Sequence, residues 1–161
     1  MAIEQEAFKE ALRGWASGVT VVTSRSGDRV HGMTVSAFSS VSADPPLVLV
    51  CANHSSSTHG LIEEAGVFAV NILASHQQDV SNVFASSKHE DSRLQQVSWT
   101  EGETGAPLID EALASLECKV TSAHREGSHT IYVGHVQAVH TTEAEPLLYY
   151  KGSYRSLHCD D

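Results

Sequence analysis

Apolar positions along the first part of the chain follow a helical spacing first and then form a β-branched run. They recur at three- and four-residue steps at Ala7, Phe8, Ala11, Leu12 and Trp15. This spacing predicts an amphipathic helix over residues 3–16, and Gly18 follows as a stop signal. Residues 19–24 are almost all β-branched and predict a strand. Residues 30–35 predict the return strand of a hairpin.

Two strongly apolar runs predict buried strands in the middle of the chain. The pair Pro45-Pro46 precedes the first run, residues 47–52, and proline is tolerated at the first residue of a strand. The second run covers residues 67–73. Between them, residues 59–65 predict a short helix, which Gly66 ends.

The second half contains longer polar stretches. Ser75-His76-Gln77-Gln78 has the Ser-x-x-Gln spacing of a capping box, which predicts a helix starting there. Residues 86–106 are polar and irregular, which predicts a surface loop long enough to suggest a function. Residues 116–121 and 130–139 predict two strands joined by a turn. Residues 147–157 predict the last strand.

Together these elements amount to about seven strands and two or three short helices. Most successive strands are joined by turns, so we expect a mainly antiparallel sheet that closes into a barrel. The chain has 161 residues, 41% of them hydrophobic, which is enough for a substantial core. We find no repeat, linker or low-complexity segment, and we therefore expect a single domain over residues 1–161.

The charge balance narrows the classes of function. There are 10 Lys and Arg against 20 Asp and Glu, a formal net charge of −10. This acidity argues against nucleic-acid binding and against docking on anionic lipid. It leaves an anionic cofactor open, because local N–H groups and hydroxyls hold a phosphate.

The same sequence predicts a cytoplasmic location. No apolar run approaches the roughly 18 residues of a membrane span, and the acidic N-terminus lacks the features of a signal peptide. Cys51, Cys118 and Cys159 are odd in number and have no Cys-x-x-Cys spacing. We expect them to be reduced thiols, as in a cytoplasm.

Several common catalytic motifs are missing. The ten histidines lack the spacing of a metal site, since His54/His59 and His124/His129 are five residues apart. Cys51 lies in the most apolar strand, which favours an inert buried thiol over a nucleophile. There is no Gly-x-Ser-x-Gly elbow and no dinucleotide or P-loop glycine motif. We therefore predict neither a metal nor a catalytic side chain.

Two hydroxyl-rich loops follow predicted strands, at residues 36–40 and 53–58. The second loop precedes a helix, where N–H and O–H donors at the positive helix end could cradle a phosphate. Ordinary N-capping by one serine is the alternative. Gly32 and Ala37 flank the first loop, where small residues would let a flat ring approach, although a tight bend in a barrel strand explains them equally.

Two further segments are ambiguous by themselves. Gly127-Ser128-His129-Thr130 is either a hairpin with an exposed histidine or part of a site. Residues 149–155 concentrate aromatic and cationic side chains; alternation would put Tyr149, Lys151, Ser153 and Arg155 on one face. Such a strand suits an anionic ring ligand, a subunit interface or an ordinary amphipathic barrel strand.

Taken in order, these segments resemble a known family from about Phe8 to Leu157. They are residues 18–23, 32–42, 45–50, 53, 55–58, 68–73, 83–85, 127–131 and 146–155. The run Thr34-Val-Ser-Ala-Phe-Ser-Ser together with Gly127-Ser-His-Thr is the specific part. The chain resembles small flavin reductases of the flavin-reductase-like, FMN-binding split-barrel family, which supply reduced flavin to two-component monooxygenases.

The resemblance implies a fold, a reaction and partners. The fold would be mainly β with short helices, a split β-barrel forming a homodimer. The activity would be hydride transfer from NADH or NADPH to FMN or FAD, with reduced flavin passed to a monooxygenase component. The flavin itself carries this chemistry, in agreement with the missing acid–base pair.

The resemblance also implies roles for individual residues. The isoalloxazine ring would lie against Met33, Thr34, Val35, Ser36 and Ala37, with Asn53 nearby. The ribityl chain and phosphate would approach Ser39, Ser40, Ser55, Ser56, Ser57 and Thr58. The flavin would be covered by Phe84, Ala85, Ser86 and Lys88 and flanked by Tyr154 and Arg155. The nicotinamide cofactor would contact His129.

Two segments depart from the family pattern. Many members carry an aspartate before the turn histidine, where this chain has Ser128. Many also carry Gly-x-Asp-Lys/Arg-Phe after the second helix, where residues 89–94 read His-Glu-Asp-Ser-Arg-Leu. The contacts of that loop with phosphate or adenine therefore need separate support.

Two other functions remain open on this fold. One is a non-reductase protein that stores flavin or binds haem, because a fold does not determine a function. The other is an oxidase of a pyridoxine-type phosphate. That activity would need a basic phosphate pocket, and its cations could only come from Lys88, Arg93, Lys151 and Arg155.

Overall fold

A computed structural model describes residues 2–158. This part of the chain contains three α-helices, α1 (Gln5–Arg13), α2 (Ser57–Ala65) and α3 (Gln78–Ala85), and a 3₁₀ helix, Glu90–Gln95. Its strands are β1 (Ser17–Gly18), β2 (Thr20–Ser26), β3 (Arg29–Val35), β4 (Phe38–Ala43), β5 (Pro46–Asn53), β6 (Val67–Ile72), β7 (Trp99–Glu101), β8 (Pro107–Ile109), β9 (Ala114–Glu126), β10 (His129–Thr141), β11 (Leu148–Tyr150) and β12 (Ser153–Arg155). Most of the predicted elements are therefore present.

Seven strands form the main sheet, in the order β3-β2-β6-β9-β10-β5-β4. Every pairing in it is antiparallel. The edge strands β3 and β4 are consecutive in the chain and are separated only by Ser36 and Ala37. The predicted mainly antiparallel, mainly β fold is confirmed, whereas closure into a split barrel stays a prediction.

Apolar side chains cover both faces of β2. Val22 packs in one cluster with Val50 and Phe68, whereas its neighbour Val21 packs in a second cluster with Leu73 and Phe84. Neighbouring residues in a strand point to opposite faces, so this sheet is buried on two sides near β2. The second cluster joins the sheet to α3, which carries part of the site.

Helix α2 is capped as its sequence suggests. Its N-cap residue Ser56 accepts a hydrogen bond from the His59 backbone N–H at 3.1 Å. At the other end Gly66 has φ 69°, the left-handed conformation that glycine adopts without penalty. The helix begins two residues before the predicted range and ends where predicted.

The first hydroxyl-rich segment is not a loop throughout. Residues from Phe38 onward form β4, which pairs with β5 and therefore satisfies its backbone groups within the sheet. The capping box at Ser75 was also a wrong prediction. Helix α3 starts at Gln78, and the side chain of Gln77 instead accepts a bond from Ala74 N–H at 2.9 Å and donates to the Asp110 carbonyl at 2.9 Å.

The predicted loop over residues 86–106 contains regular structure. The 3₁₀ helix Glu90–Gln95 buries Arg93 and Leu94, and strand β7 pairs with β8. Trp99 Nε1–H donates to the Leu94 carbonyl at 3.1 Å, which links the two. The prediction failed because these residues are ordered by distant contacts rather than by a local hydrophobic period.

The last predicted strand is a hairpin. Lys151 and Gly152 have φ 48° and 76°, and this pair of left-handed residues makes the tight turn between β11 and β12. The predicted single face of Tyr149, Lys151, Ser153 and Arg155 is therefore wrong, because the turn interrupts the alternation. The Lys151 backbone N–H donates to the Arg13 carbonyl at 3.1 Å, which fixes the hairpin to the end of α1.

Two sequence expectations concern side-chain chemistry outside any site. Cys51 and Cys118 carry free thiols, and burial raises the pKa of Cys118 to about 12; Cys159 lies outside the described residues. Within residues 2–158, no three His, Cys, Asp or Glu side chains converge as metal ligands. None of the helices in this range is long and apolar enough to cross a membrane.

Candidate functional site

A cavity of about 590 Å³ lies where the end of β3, the start of α2, the end of α3 and the final hairpin meet. We call it the central pocket. Fourteen described residues line it: Val19, Met33, Thr34, Ser36, Ser55, Ser56, Ser81, Phe84, Ala85, Ser87, Glu90, Arg93, Tyr149 and Tyr154. Its volume falls within the range of small-molecule sites, about 300–1,000 Å³.

One end of the pocket is the N-terminus of α2. Ser55 and Ser56 line it there, and the first N–H groups of a helix favour an anion. The Ser57 backbone N–H donates to Glu90 Oε1 at 3.0 Å. This hydrogen bond holds the pKa of Glu90 below its usual range, so the carboxylate is charged at neutral pH.

Arg93 supplies the positive charge of the pocket. Its side chain is only 8% exposed, Nη1 donates to the Gly32 carbonyl at 2.9 Å, and Nη2 donates to the Ser86 carbonyl at 2.5 Å. Its Nε–H is buried and has no hydrogen-bond partner among the described residues. Because this atom is enclosed by protein, Arg93 acts on the pocket through its charge rather than through a free donor.

The opposite wall of the pocket is apolar and rests on a glycine. Met33 and Phe84 are both buried at this wall. A Cβ at Gly32 would lie 2.7 Å from Phe84 Cε1, so only glycine lets α3 pack this closely on β3. Close packing of Phe84, rather than approach of a flat ring, is therefore what requires a glycine at position 32.

The final hairpin supplies an aromatic wall. The Tyr154 hydroxyl lies 2.7 Å from Ser81 Oγ and donates to Asn82 Oδ1 at 3.0 Å, which fixes the ring against α3. The Tyr149 ring packs edge-on against Tyr154 at 5.4 Å between centroids. Thr34 Oγ1 also donates to the Ser81 carbonyl at 2.7 Å, so α3 joins β3 and the hairpin at one place.

The structure brings eight of the predicted site residues together. Those lining the central pocket are Met33, Thr34, Ser36, Ser55, Ser56, Phe84, Ala85 and Tyr154. Ala37 and Ser39 line a neighbouring groove of about 910 Å³ beside α1, which also includes Ser36 and Tyr149. We call this second cavity the α1 groove.

The other predicted residues line neither cavity. They are Val35, Ser40, Asn53, Ser57, Thr58, Ser86, Lys88, His129 and Arg155. Val35 and Thr58 are buried, whereas the Ser57 amide and the Ser86 carbonyl act on the pocket by binding Glu90 and Arg93. For all of these residues, contact with flavin or nicotinamide stays a prediction.

Asn53 and His129 face each other across β5 and β10. Asn53 Oδ1 accepts bonds from Ser55 N–H and Ser55 Oγ–H, both at 2.9 Å, and so shapes the loop that enters α2. His129 Nδ1 lies 2.8 Å from Ser128 Oγ. The serine that replaces the family's aspartate therefore still contacts the imidazole, but it provides no negative charge.

Six lining residues were not predicted: Val19, Ser81, Ser87, Glu90, Arg93 and Tyr149. Ser81 precedes the predicted residue Phe84 by three positions, so a helical period could have indicated it. Glu90 and Arg93 have the same i, i+3 spacing, but they lie in a segment without a hydrophobic period. Their proximity to α2 and β3 is visible only in the fold.

Comparison with known proteins identifies the family. Residues 12–158 match the model of the flavin reductase like domain. This chain belongs to the flavin-reductase-like family. The family predicted from the sequence motifs is thereby confirmed, and the match covers the main sheet, all of the central pocket and the final hairpin.

Relatives in this family have named activities. An NADH-dependent flavin reductase of a Rhodococcus species is 43% identical over 93% of this chain and 85% of its own length. The reductase subunit HsaB of a flavin-dependent monooxygenase from Rhodococcus jostii is 32% identical over 99% of this chain and 81% of its own.

A solved structure shows the same architecture. The NADH:FAD oxidoreductase SgcE6 of Streptomyces globisporus C-1027, in complex with NAD and FAD fragments, superposes with a TM-score of 0.90. It is 32% identical, and the match covers 99% of this chain and 98% of that one.

Proposed function

We propose that this protein is an NADH-dependent flavin reductase that transfers hydride to FMN or FAD and supplies the reduced flavin to a monooxygenase component. The observation that carries the proposal is the central pocket, where one apolar wall faces an anion-binding helix end. This pocket occurs in a chain that is 43% identical to an NADH-dependent flavin reductase. The related monooxygenase reductase subunit supports the partner.

The residues of the central pocket fit a flavin. Met33, Phe84 and Tyr154 offer the apolar and aromatic surface that an isoalloxazine ring needs. Ser55 and Ser56 at the start of α2 offer donors for the ribityl chain or phosphate, and Arg93 adds a positive charge. When bound, the flavin supplies the hydride-accepting chemistry.

The chain itself has to bind, orient and exclude water. Tyr154 is held by Ser81 and Asn82, so it forms a fixed wall rather than a mobile cover. Backbone N–H groups of residues 33–37 would bind the polar edge of the ring, and His129 would position the nicotinamide cofactor. No side chain is required as an acid or base, in agreement with the sequence prediction.

The protein is a homodimer in this proposal. Helix α1 buries none of its residues, and its apolar face leaves Phe8 55% and Leu12 56% exposed. Trp15, just after the helix, is 78% exposed and lines the α1 groove with Leu12. Large exposed apolar patches mark interfaces. A second copy covering α1 would close the split barrel against its partner, and Arg155 could then complete the site from the interface. A monomer by light scattering would contradict this.

The alternative of a haem-binding or flavin-storing module has less support. Among the described residues lining the central pocket there is no histidine or cysteine, the side chains that most often ligate haem iron. Arg93 is the one cation among the described residues that line the pocket, and it is paired with Glu90. The pyridoxine-phosphate alternative, which needs a basic phosphate pocket, is therefore weakened as well. We place the reductase in the cytoplasm, where free Cys51 and Cys118 stay reduced.

The deciding experiment is a reductase assay. Purified protein is mixed with FMN or FAD and with NADH or NADPH, and the loss of reduced nicotinamide absorbance is followed. We expect turnover with NADH. Flavin binding without turnover would instead favour the storage module, and the four combinations would settle which flavin and nucleotide are used.

The same assay tests the role of His129. We expect His129→Ala to raise KM for NADH while leaving flavin affinity nearly unchanged, because the imidazole would position only the dinucleotide. Ser128→Ala is the matched control, since it removes only the neighbouring hydroxyl. An unchanged KM for NADH in His129→Ala would contradict the assignment.

A further inference from the structure

Two charged side chains of opposite sign line the central pocket. Arg93 and Glu90 lie one turn apart on the 3₁₀ helix, with Arg93 Nη1 3.9 Å from Glu90 Oε1. The charges of the lining residues therefore sum to zero. A flavin phosphate, with nearly two negative charges at neutral pH, would meet one attractive and one repulsive group.

Glu90 occupies the place where the helix favours an anion. Its Oε1 accepts the Ser57 N–H bond at 3.0 Å, at the first residue of α2. Its side chain remains 31% exposed, so the carboxylate is at the pocket surface rather than sealed in the core. His89, just before it, has φ 54°, a conformation that non-glycine residues rarely adopt.

Helix α2 has a side-chain cap besides this carboxylate. Ser56 already caps the helix by accepting the His59 N–H bond at 3.1 Å. The buried Nε–H of Arg93, in the same pocket, has no partner among the described residues. The pocket thus contains a carboxylate bound at the start of a helix that a serine already caps, beside the single arginine of its described lining.

We propose that Glu90 sets the affinity of the central pocket for flavins that carry a phosphate. In the protein without flavin its carboxylate takes the anion position at the start of α2. When the flavin binds, the same charge opposes the phosphate and weakens the complex. The inference rests on the proposed function and deepens it, because a reductase that passes its flavin to another protein requires loose binding.

Glu90→Gln tests this with little change in shape. The amide oxygen of glutamine can still accept the Ser57 N–H bond, so the variant removes the charge and keeps the contact. We expect the Kd for FMN to fall about tenfold, because removing a like charge at a helix N-terminus strengthens anion binding. The Kd for riboflavin, which has no phosphate, should change by less than about twofold.

Asp91→Asn is the matched control. Asp91 is the next residue of the same 3₁₀ helix and does not line the central pocket, and its carboxylate is 92% exposed and pairs with His31. The variant makes the same change of charge and should leave both dissociation constants within about twofold of wild type. A tenfold gain in Asp91→Asn as well would reduce the effect to net charge and overturn the proposal.

The remaining outcomes separate this inference from the proposed function. If the wild type reduces flavin but Glu90→Gln leaves the ratio of the FMN and riboflavin Kd values unchanged, the inference alone is wrong. If Glu90→Gln weakens FMN binding, Glu90 supports the site and the inference is again overturned. If the wild type neither binds nor reduces flavin, both fail. If the melting temperature of Glu90→Gln is well below that of wild type, Glu90→Ala is measured as well. The proposal then requires Glu90→Ala to lower the ratio of the FMN Kd to the riboflavin Kd.

Discussion

Glu117 and Arg93 are both ionised side chains buried in this fold, but their surroundings differ. Glu117, on β9, is fully buried and accepts bonds from Thr104 N–H at 2.9 Å and Thr104 Oγ1 at 3.0 Å. His140 Nε2 contacts its second oxygen at 3.1 Å. Arg93 uses two of its nitrogens on backbone carbonyls and leaves Nε without a partner beside the central pocket.

The difference separates a structural charge from one available to a ligand. Every bond of Glu117 ties two parts of the chain together, since it holds the segment around Thr104 onto β9 and β10. Arg93 also ties chain segments, but it lines the central pocket, which Glu117 does not. A charge that lines a cavity can act on a ligand there, whereas the charge of Glu117 is enclosed by its own partners.

The largest expected effect comes from removing the structural charge. Glu117→Ala should lower the free energy of unfolding by about 3 kcal/mol, because the half-buried Thr104 loses a charged acceptor for its N–H and its hydroxyl. The flavin Kd should change by less than about twofold, since Glu117 does not line the central pocket. Urea denaturation and flavin titration measure the two quantities.

The neighbouring Glu103 provides the control for Glu117. It is exposed in the same segment, so Glu103→Ala removes the same charge and should change stability by less than about 0.5 kcal/mol. If both variants lost stability equally, the loss would arise from net charge. If Glu117→Ala also lost flavin binding while still folded, the separation between the two buried charges would fail.

Arg93→Met should affect both stability and binding. The methionine keeps much of the apolar stem but leaves the carbonyls of Gly32 and Ser86 without their donors, which should cost about 2 kcal/mol of stability. The Kd for FMN should rise about tenfold, because the one cation among the described residues of the pocket lining is lost. Denaturation and FMN titration of the folded variant measure the two effects.

The control for Arg93 is Arg29→Met, at the far end of β3. Arg29 pairs with Glu64 on the surface, and both side chains are exposed, so its removal should cost less than about 1 kcal/mol. FMN affinity should be unchanged. An Arg93→Met variant that is less stable but binds FMN like wild type would make Arg93 another structural charge, equivalent to Glu117.

The sequence predicted the elements whose order is local. Residues 67–73 form one apolar run and helix α2 ends at a glycine stop signal, and both elements were located within two residues. Segments that are ordered by contacts with distant parts of the chain could not be located from their local sequence. A Cβ at Gly102 would lie 2.2 Å from Glu117 Oε1. The segment at Gly102 is therefore shaped by a carboxylate from strand β9, which its local sequence does not show.

The residues of the candidate site divide in the same way, into those that the sequence motifs indicated and those that only the fold brings together. The residues that the family motifs implied lie in recognisable stretches of sequence, and eight of them line the central pocket. Glu90 and Arg93 lie in a polar segment where nothing local shows which side chain turns inward. Asn71 is comparable, because it sits in an apolar run yet receives bonds from Ile109 N–H and Ser115 Oγ–H, both at 2.9 Å.

The smallest expected effect is a pH dependence that belongs to Glu117 and not to Arg93. Burial alone would raise the pKa of Glu117, but hydrogen bonds from Thr104 and His140 outweigh it and hold the pKa below its ordinary value of 4.5. The unfolded chain therefore binds the proton first, so this contribution to stability is complete above the unfolded pKa and is lost as pH falls through the folded one.

Glu117→Gln removes this titration while keeping an acceptor for Thr104. Its unfolding free energy should fall less steeply than that of wild type as pH decreases from about 6 to about 3.5. Glu64 and Glu90, whose pKa values are also lowered by hydrogen bonds, titrate in both proteins and cancel in the difference. Arg93 itself stays charged throughout, so Arg93→Met changes this profile only through Glu90, whose pKa the Arg93 charge helps to lower. Parallel curves for Glu117→Gln and wild type would mean that Glu117 is not stabilised as a buried anion.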